Sequence, residues 1–191
     1  MRGEVTPTEP DATRPRTLSY DGLAEGQSTM RYMMRQRILS LGDDFTIKDA
    51  DGRDVYYVDG RAFSFGDKLS FKDMDGTELV FIDQKLLSFG PQYEIVRGGE
   101  TVAVVRKHLF TLFRGRFTVD VPGPDDLEAQ GDFLDHEYTF VRGDREVARA
   151  SKRWFKLADT YAIDIDQGED DVLILAAAVV IDLVSHPDPK N

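Results

Sequence analysis

From Met30 to Val184 the chain runs in short apolar–polar alternations, several of which close on a glycine turn. Phe45 to Gly52 (FTIKDADG) recurs as Phe71 to Gly76 (FKDMDG), and looser copies run from Tyr93 to Gly99 (YEIVRGG) and from Tyr138 to Asp144 (YTFVRGD). Each copy reads as a strand, a turn pair that permits positive φ, and a returning strand, which is the signature of a hairpin. The returning strands are Asp54–Val58, Glu78–Asp83, Thr101–Arg106 and Glu146–Lys152. A third apolar run follows each hairpin: Ala62–Phe65, Leu86–Phe89, Leu109–Phe113 and Trp154–Leu157. The last interval between copies also holds an extra strand and a loop at Pro122–Asp135. Four units of about three strands predict about twelve, mainly antiparallel, in a barrel or sandwich. Thr101–Val105 and Leu79–Ile82 are apolar on both faces, so part of the second face must also be covered.

The last element breaks this pattern. Asp170 to Val184 reads as a helix of about 15 residues: Gly168 and the acids mark its start, and Pro187 and Pro189 its end. Between Val172 and Ile181 it is apolar all round and must be buried on every side. Val and Ile would suit a core strand, but Ala176, Ala177 and Ala178 favour helix. At about 1.5 Å per residue such a helix spans roughly 22 Å, short of the ~30 Å core of a bilayer. A β barrel plugged by its own chain end satisfies both demands. A small β-propeller is the alternative fold, but it has no use for a wholly apolar terminal helix.

Hairpins with Asp-Gly turns, followed by an apolar helix that ends Val179, Val180, Ile181, Asp182, resemble the LURP-one-related family over about residues 30–185. That resemblance implies the tubby C-terminal-like fold, a twelve-stranded antiparallel barrel enclosing a hydrophobic C-terminal helix, similar in outline to phospholipid scramblases. Relatives of that fold include phosphoinositide-binding modules and membrane-associated proteins. No binding residue of the family can be matched here, and fold alone is a weak warrant for function.

Composition narrows the picture further. The 191 residues make one domain, expected at 30–186, between a disordered tail at 1–29, which carries Pro7, Pro10 and Pro15, and a short tail at 187–191. There is no cysteine, which removes disulfides and thiolate chemistry. No apolar leader follows Met1, and no apolar stretch reaches 18 residues, so a cytoplasmic location is expected, peripheral at the membrane if the surface carries a basic patch. The net charge of −11 comes from 25 Asp and 10 Glu against 16 Arg and 8 Lys. Short carboxylates with few lysines fit a surface adapted to concentrated salt, and the acidity argues against a nucleic-acid partner.

Motifs for chemistry are sparse. His136-Glu137 lacks the zinc-protease spacing, Ser64 and Ser88 sit in strand ends rather than in a nucleophile elbow, and no phosphate-binding glycine loop occurs. Asp49, Asp51 and Gly52, like Asp73, Asp75 and Gly76, mimic part of a calcium loop. The position five residues before each glycine is Ile47 or Phe71, which cannot ligate a hard cation, so these are turns. No catalytic residue, cofactor or metal ligand is expected. Charge distribution is the one candidate for binding. Residues 101–119 hold Arg106, Lys107, Arg114 and Arg116 with no acid, and residues 142–158 hold six bases, among them Lys152 and Arg153, against two acids. Arg31, Arg35 and Arg37 make a smaller island. Arg106-Lys107 and Lys152-Arg153 occupy equivalent repeat positions, so an anionic headgroup or phosphate is the ligand these islands predict if they converge. If they pair with acids instead, a structural or regulatory protein working through protein contacts is the better reading.

The acidic surface yields a first prediction. Screening of self-repulsion should raise the melting temperature markedly between dilute buffer and molar potassium chloride. A melting temperature that is flat or falling across that range removes the salt-adapted reading.

Overall fold

The computed structural model describes residues 28–35, 44–60, 68–85, 90–108, 115–123, 126–152 and 160–186. They form twelve strands and one helix: β1 (Thr29–Arg35), β2 (Phe45–Asp49), β3 (Asp54–Asp59), β4 (Lys68–Asp73), β5 (Glu78–Gln84), β6 (Gln92–Arg97), β7 (Glu100–Lys107), β8 (Gly115–Asp120), β9 (Leu127–Asp132), β10 (Glu137–Arg142), β11 (Arg145–Ser151), β12 (Thr160–Asp166) and α1 (Asp171–Ser185). Every strand pairs antiparallel with its sequence neighbours, and β1 closes the barrel against β12, with Thr29 opposite Asp166 and Arg35 opposite Thr160. Closure leaves no sheet edge open to pairing with another chain.

Alternation decides the inner face. Phe45 and Ile47, Ile95 and Tyr93, Ala103 and Val105, Phe117 and Val119, and Tyr138 and Phe140 all point inward and are buried, two apart on their strands. The outward residues Leu79, Phe81, Val102 and Val104 are half-buried, which accounts for their apolar character without a second sheet. The repeat is visible in the backbone as well. Each of the four hairpins slips register just before its turn, at Ile47/Lys48, Phe71/Lys72, Ile95/Val96 and Phe140/Val141. Such bulges increase local twist, which helps a sheet curl onto itself.

The Asp-x-Asp-Gly motifs are turns. The Oδ1 of Asp49 accepts from the Asp51 and Arg53 amides, and that of Asp73 from the Asp75 and Thr77 amides. Gly52 at φ +82° takes the left-handed position that such a turn requires.

Some expectations change in detail. The third runs at 62–65, 86–89, 109–113 and 154–157 lie outside the described residues, as does the tail from 1 to 27. The strands that complete the twelve are β1, β8, β9 and β12. The segment expected as a loop, Pro122–Asp135, contains β9: Leu127 and Ala129 point inward, but Gln130, Gly131 and Asp132 hide the alternation.

The helix α1 fills the barrel, with every residue from Leu173 to Asp182 buried. Its start is tied to the wall. Asp170 caps the helix by accepting from the Leu173 amide, and Arg97 of β6 reaches both its carboxylate oxygens at 2.7 and 3.0 Å. Burial pushes the Asp170 carboxyl up, but Arg97 and the Leu173 amide outweigh it and hold the group below the ordinary carboxylate range. The Tyr32 hydroxyl donates to Asp171 at 2.6 Å, and Arg142 and Arg145 both bind Glu169. Because strands alternate in direction, the turns of all the tight hairpins lie at this end, and α1 runs from it to the opposite one. Among the described residues, no helix is long and apolar enough to cross a membrane.

The tightness of this packing can be tested. Leu175 is completely buried, so Leu175→Asp places an unpaired charge within the barrel at a cost of several kcal/mol. Loss of the native β-type circular dichroism is expected. A soluble variant with unchanged melting would mean that α1 is not the core.

Candidate functional site at the end of the helix

The buried stretch of α1 ends at an acid. Asp182, 3% exposed, lies one turn before His186, and the His186 amide donates to the Asp182 carbonyl at 2.9 Å to finish the helix. A carboxylate near a helix C-terminus opposes the helix dipole, so it needs compensation. Two imidazoles supply it. His136 Nε2 lies 2.6 Å from Asp182 Oδ1, and His186 Nδ1 lies 3.1 Å from the same oxygen. The two rings stack nearly parallel, 8° apart, with centroids 4.7 Å apart, and Tyr161 of β12 packs on the other imidazole contact of His136 at 4.3 Å.

His136 reaches this place through the β9–β10 turn. Asp132 Oδ1 accepts from the Leu134 and Asp135 amides, and His136 takes a left-handed φ of 52°, the one such non-glycine residue among those described. That conformation is uncommon for a side-chain-bearing residue and is held here by its surroundings. Phe133 is folded back into the mouth of the barrel, 4.9 Å from the Phe117 ring and 5.0 Å from that of Tyr138. Gly131 makes this possible: a Cβ there would sit 2.5 Å from the Glu137 carbonyl oxygen.

Burial and charge act together on the neighbouring groups. Burial first, and then the charge of Asp182, push the Tyr138 hydroxyl well above its ordinary range. Tyr161 is raised by burial, by Tyr138 and by Asp182. Contact with Asp182 raises His186 above the usual imidazole value. The hydroxyls of Tyr138 and Tyr161 and the Nδ1 of His136 are buried without a hydrogen-bond partner among the described residues. Beside this cluster opens a cleft of about 580 Å³, lined by Lys107, Asp132, Phe133, Leu134, Glu137 and Ser185, with Gly115 and Gly131 in its wall.

The structure separates the basic residues singled out in the sequence. Arg106 pairs with Asp120 across β7 and β8 and donates to Gln92, and Arg116 faces Glu128 at 3.4 Å. Lys107 borders the cleft, its ammonium 5.9 Å above the Phe117 ring. Lys152 ends β11 with its amide on Glu137, whose carboxylate also accepts from Ser151. Arg114 and Arg153 lie outside the described residues, as does Arg37. Arg31 forms a two-pronged pair with Asp164 at 2.6 and 2.8 Å.

Sequence reasoning missed His136, Asp182 and His186 as a group. One signal was present, a lone acid in an apolar helix with a histidine four residues on. The contributions of the β9–β10 turn and of β12 exist only in three dimensions.

Comparison with known proteins places the fold in context. The profile of the LURP-one-related family matches residues 30–182. The chain belongs to that family. Its relatives include the uncharacterized protein YxjI of Bacillus subtilis, 36% identical over 155 residues, or 81% of this chain and 93% of that one. A solved X-ray structure of an Arabidopsis thaliana protein superposes with a TM-score of 0.61, covering 82% of this chain and 92% of that chain at 18% identity, which supports the barrel and its central helix.

Within this member of the LURP-one-related family, buried and exposed charges should differ sharply in weight. Asp182→Ala strips the partner from a buried imidazole and should cost about 3 kcal/mol. Glu146→Ala, which removes the exposed partner of Arg149, should cost under about 1 kcal/mol. Denaturant unfolding of the two variants checks the contrast, and equal losses would mean that Asp182 is not held by the histidines.

Proposed function

We propose that this chain is a non-enzymatic binding module that receives its ligand at the barrel end where α1 terminates. The observation that carries this reading is the difference between the two ends. One is drawn tight by hairpin turns and by ion pairs around Asp170 and Glu169. The other holds the cleft of about 580 Å³, and mouths of β barrels are recurrent ligand sites. The cleft offers mixed chemistry, an ammonium at Lys107 beside Leu134, which is 66% exposed. A cation next to an exposed apolar side chain suits an amphiphile with an anionic head, so the finer form of the proposal is an anionic phospholipid headgroup. A second reading, contact with a protein partner and no small ligand, is favoured by the pairing of Arg106 with Asp120 and of Arg116 with Glu128, which neutralises much of one basic island.

Vesicle co-sedimentation in dilute buffer distinguishes the two. Each lysine or arginine near an anionic surface contributes about 1 kcal/mol, so retention should be weak. The headgroup reading expects binding to phosphatidylglycerol vesicles and none to phosphatidylcholine. Lys107→Glu should abolish it, while Arg116→Glu, away from the cleft, should change it little. No retention on either vesicle, or equal retention on both, leaves the protein-partner reading.

A further inference from the structure

We propose that His136, Asp182 and His186 form a site for one first-row divalent metal ion of the zinc class. Each residue offers one ligand atom, and these atoms all lie within 4.8 Å of one another. Tetrahedral zinc with bonds near 2.0–2.1 Å holds its ligand atoms about 3.3 Å apart, so shifts of about an ångström suffice. Two imidazoles and a carboxylate suit zinc, cobalt or nickel, and are a poor set for magnesium or calcium, which take oxygen ligands.

Proton counting supplies the main argument. Leu134 offers His186 a carbonyl oxygen 3.2 Å from Nε2, and a carbonyl can only accept, so Nε2 carries a proton. In the neutral ring the lone pair then falls on Nδ1, which lies 3.1 Å from a carboxylate oxygen and has no hydrogen bond of good geometry. Two electron-rich atoms facing each other repel unless a positive centre joins them. His136 adds a second sign of incompleteness. Its Nε2 meets the same oxygen, while its Nδ1 is buried and unpartnered. A metal between these groups supplies the missing charge.

The supports are those of a metal centre. Asp182 and His186 stand one turn apart on a helix fixed by the barrel, and His136 is set by a turn that Asp132 braces. The Leu134 carbonyl acts on His186 as an outer partner that orients a ligating imidazole. Entry is available on one side: Leu134, Glu137 and Ser185, next to the trio in sequence or bonded to it, line the cleft, and the His186 side chain is 18% exposed. The stacked rings cannot both direct in-plane lone pairs to one point, so binding turns the His186 ring, which the helix end leaves room to do.

The site does not depend on the proposed lipid or protein ligand, and its test is separate. The full chain, stripped with chelator and dialysed, is titrated with zinc chloride and, in parallel, with cobalt chloride. Expected are a melting temperature several degrees higher that saturates at one equivalent and reverses with chelator, no comparable rise with magnesium, and visible cobalt absorption of a tetrahedral N/O site. His186→Gln, at the partly exposed helix end, should keep the native circular dichroism yet weaken zinc binding by more than about tenfold. His136→Gln should do the same where it folds. No zinc-specific rise in wild type overturns the proposal, and so does a response that survives His186→Gln.

Discussion

The whole structure depends on one constraint: a helix apolar on every side must find apolar surface on every side. A flat sheet offers one face and a sandwich offers a slot. A closed barrel offers a cylinder, and α1 from Leu173 to Asp182 is buried within one. The reverse demand holds as well. Twelve strands enclose more volume than their own inward side chains fill, so the barrel needs an occupant. Barrel and helix are therefore conditions for one another, and neither is a reasonable folding unit alone.

That arrangement gives the molecule a direction. At the start of α1 the backbone amides point at Asp170 and the neighbouring acids, and the barrel wall answers with Arg97, Arg142 and Arg145. Dipole, cap and ion pairs agree there, leaving little unsatisfied. At the far end the signs conflict. Asp182 sits where the helix dipole disfavours an anion, in a place from which water is excluded. Histidines resolve the conflict only in part, since Tyr138, Tyr161 and His136 keep buried polar atoms without partners among the described residues. Native proteins leave few such atoms, and those they leave concentrate where a ligand or ion acts.

How legible this was in the sequence follows from the range of each interaction. Hairpins are local, so Asp51-Gly52, Asp75-Gly76 and Gly98-Gly99 announced themselves, and the helix was legible because unbroken apolarity over a dozen residues has few explanations. β9 was not, because Gln130 and Gly131 replace the expected apolar rhythm. Gly131 is there for a reason of space, the Glu137 carbonyl beside it, which no periodicity reveals. Basic islands were visible as composition, but their meaning lay across the sheet: Arg106 and Asp120 are strand neighbours fourteen residues apart in sequence. The histidine cluster was least legible, since His136 and Asp182 are 46 residues apart.

A ligand at this end has an energetic consequence that one on the outer wall would lack. The trio joins α1, the last element of the chain, to the β9–β10 turn, so an occupant of that site binds only when the helix is seated in the closed barrel. Anything that binds the folded chain and not the unfolded one stabilises it by mass action, by about 2.7 kcal/mol at a hundredfold excess over its dissociation constant. An ion pair on the outer face, such as Arg149 with Glu146, ties neighbours on one strand and cannot report on the helix at all. The junction of α1 with the turn is thus the one described place where occupancy and integrity of the fold are the same event. A binding module whose central element ends in an unfinished polar cluster can couple its stability to what it holds, with no hinge and no second domain.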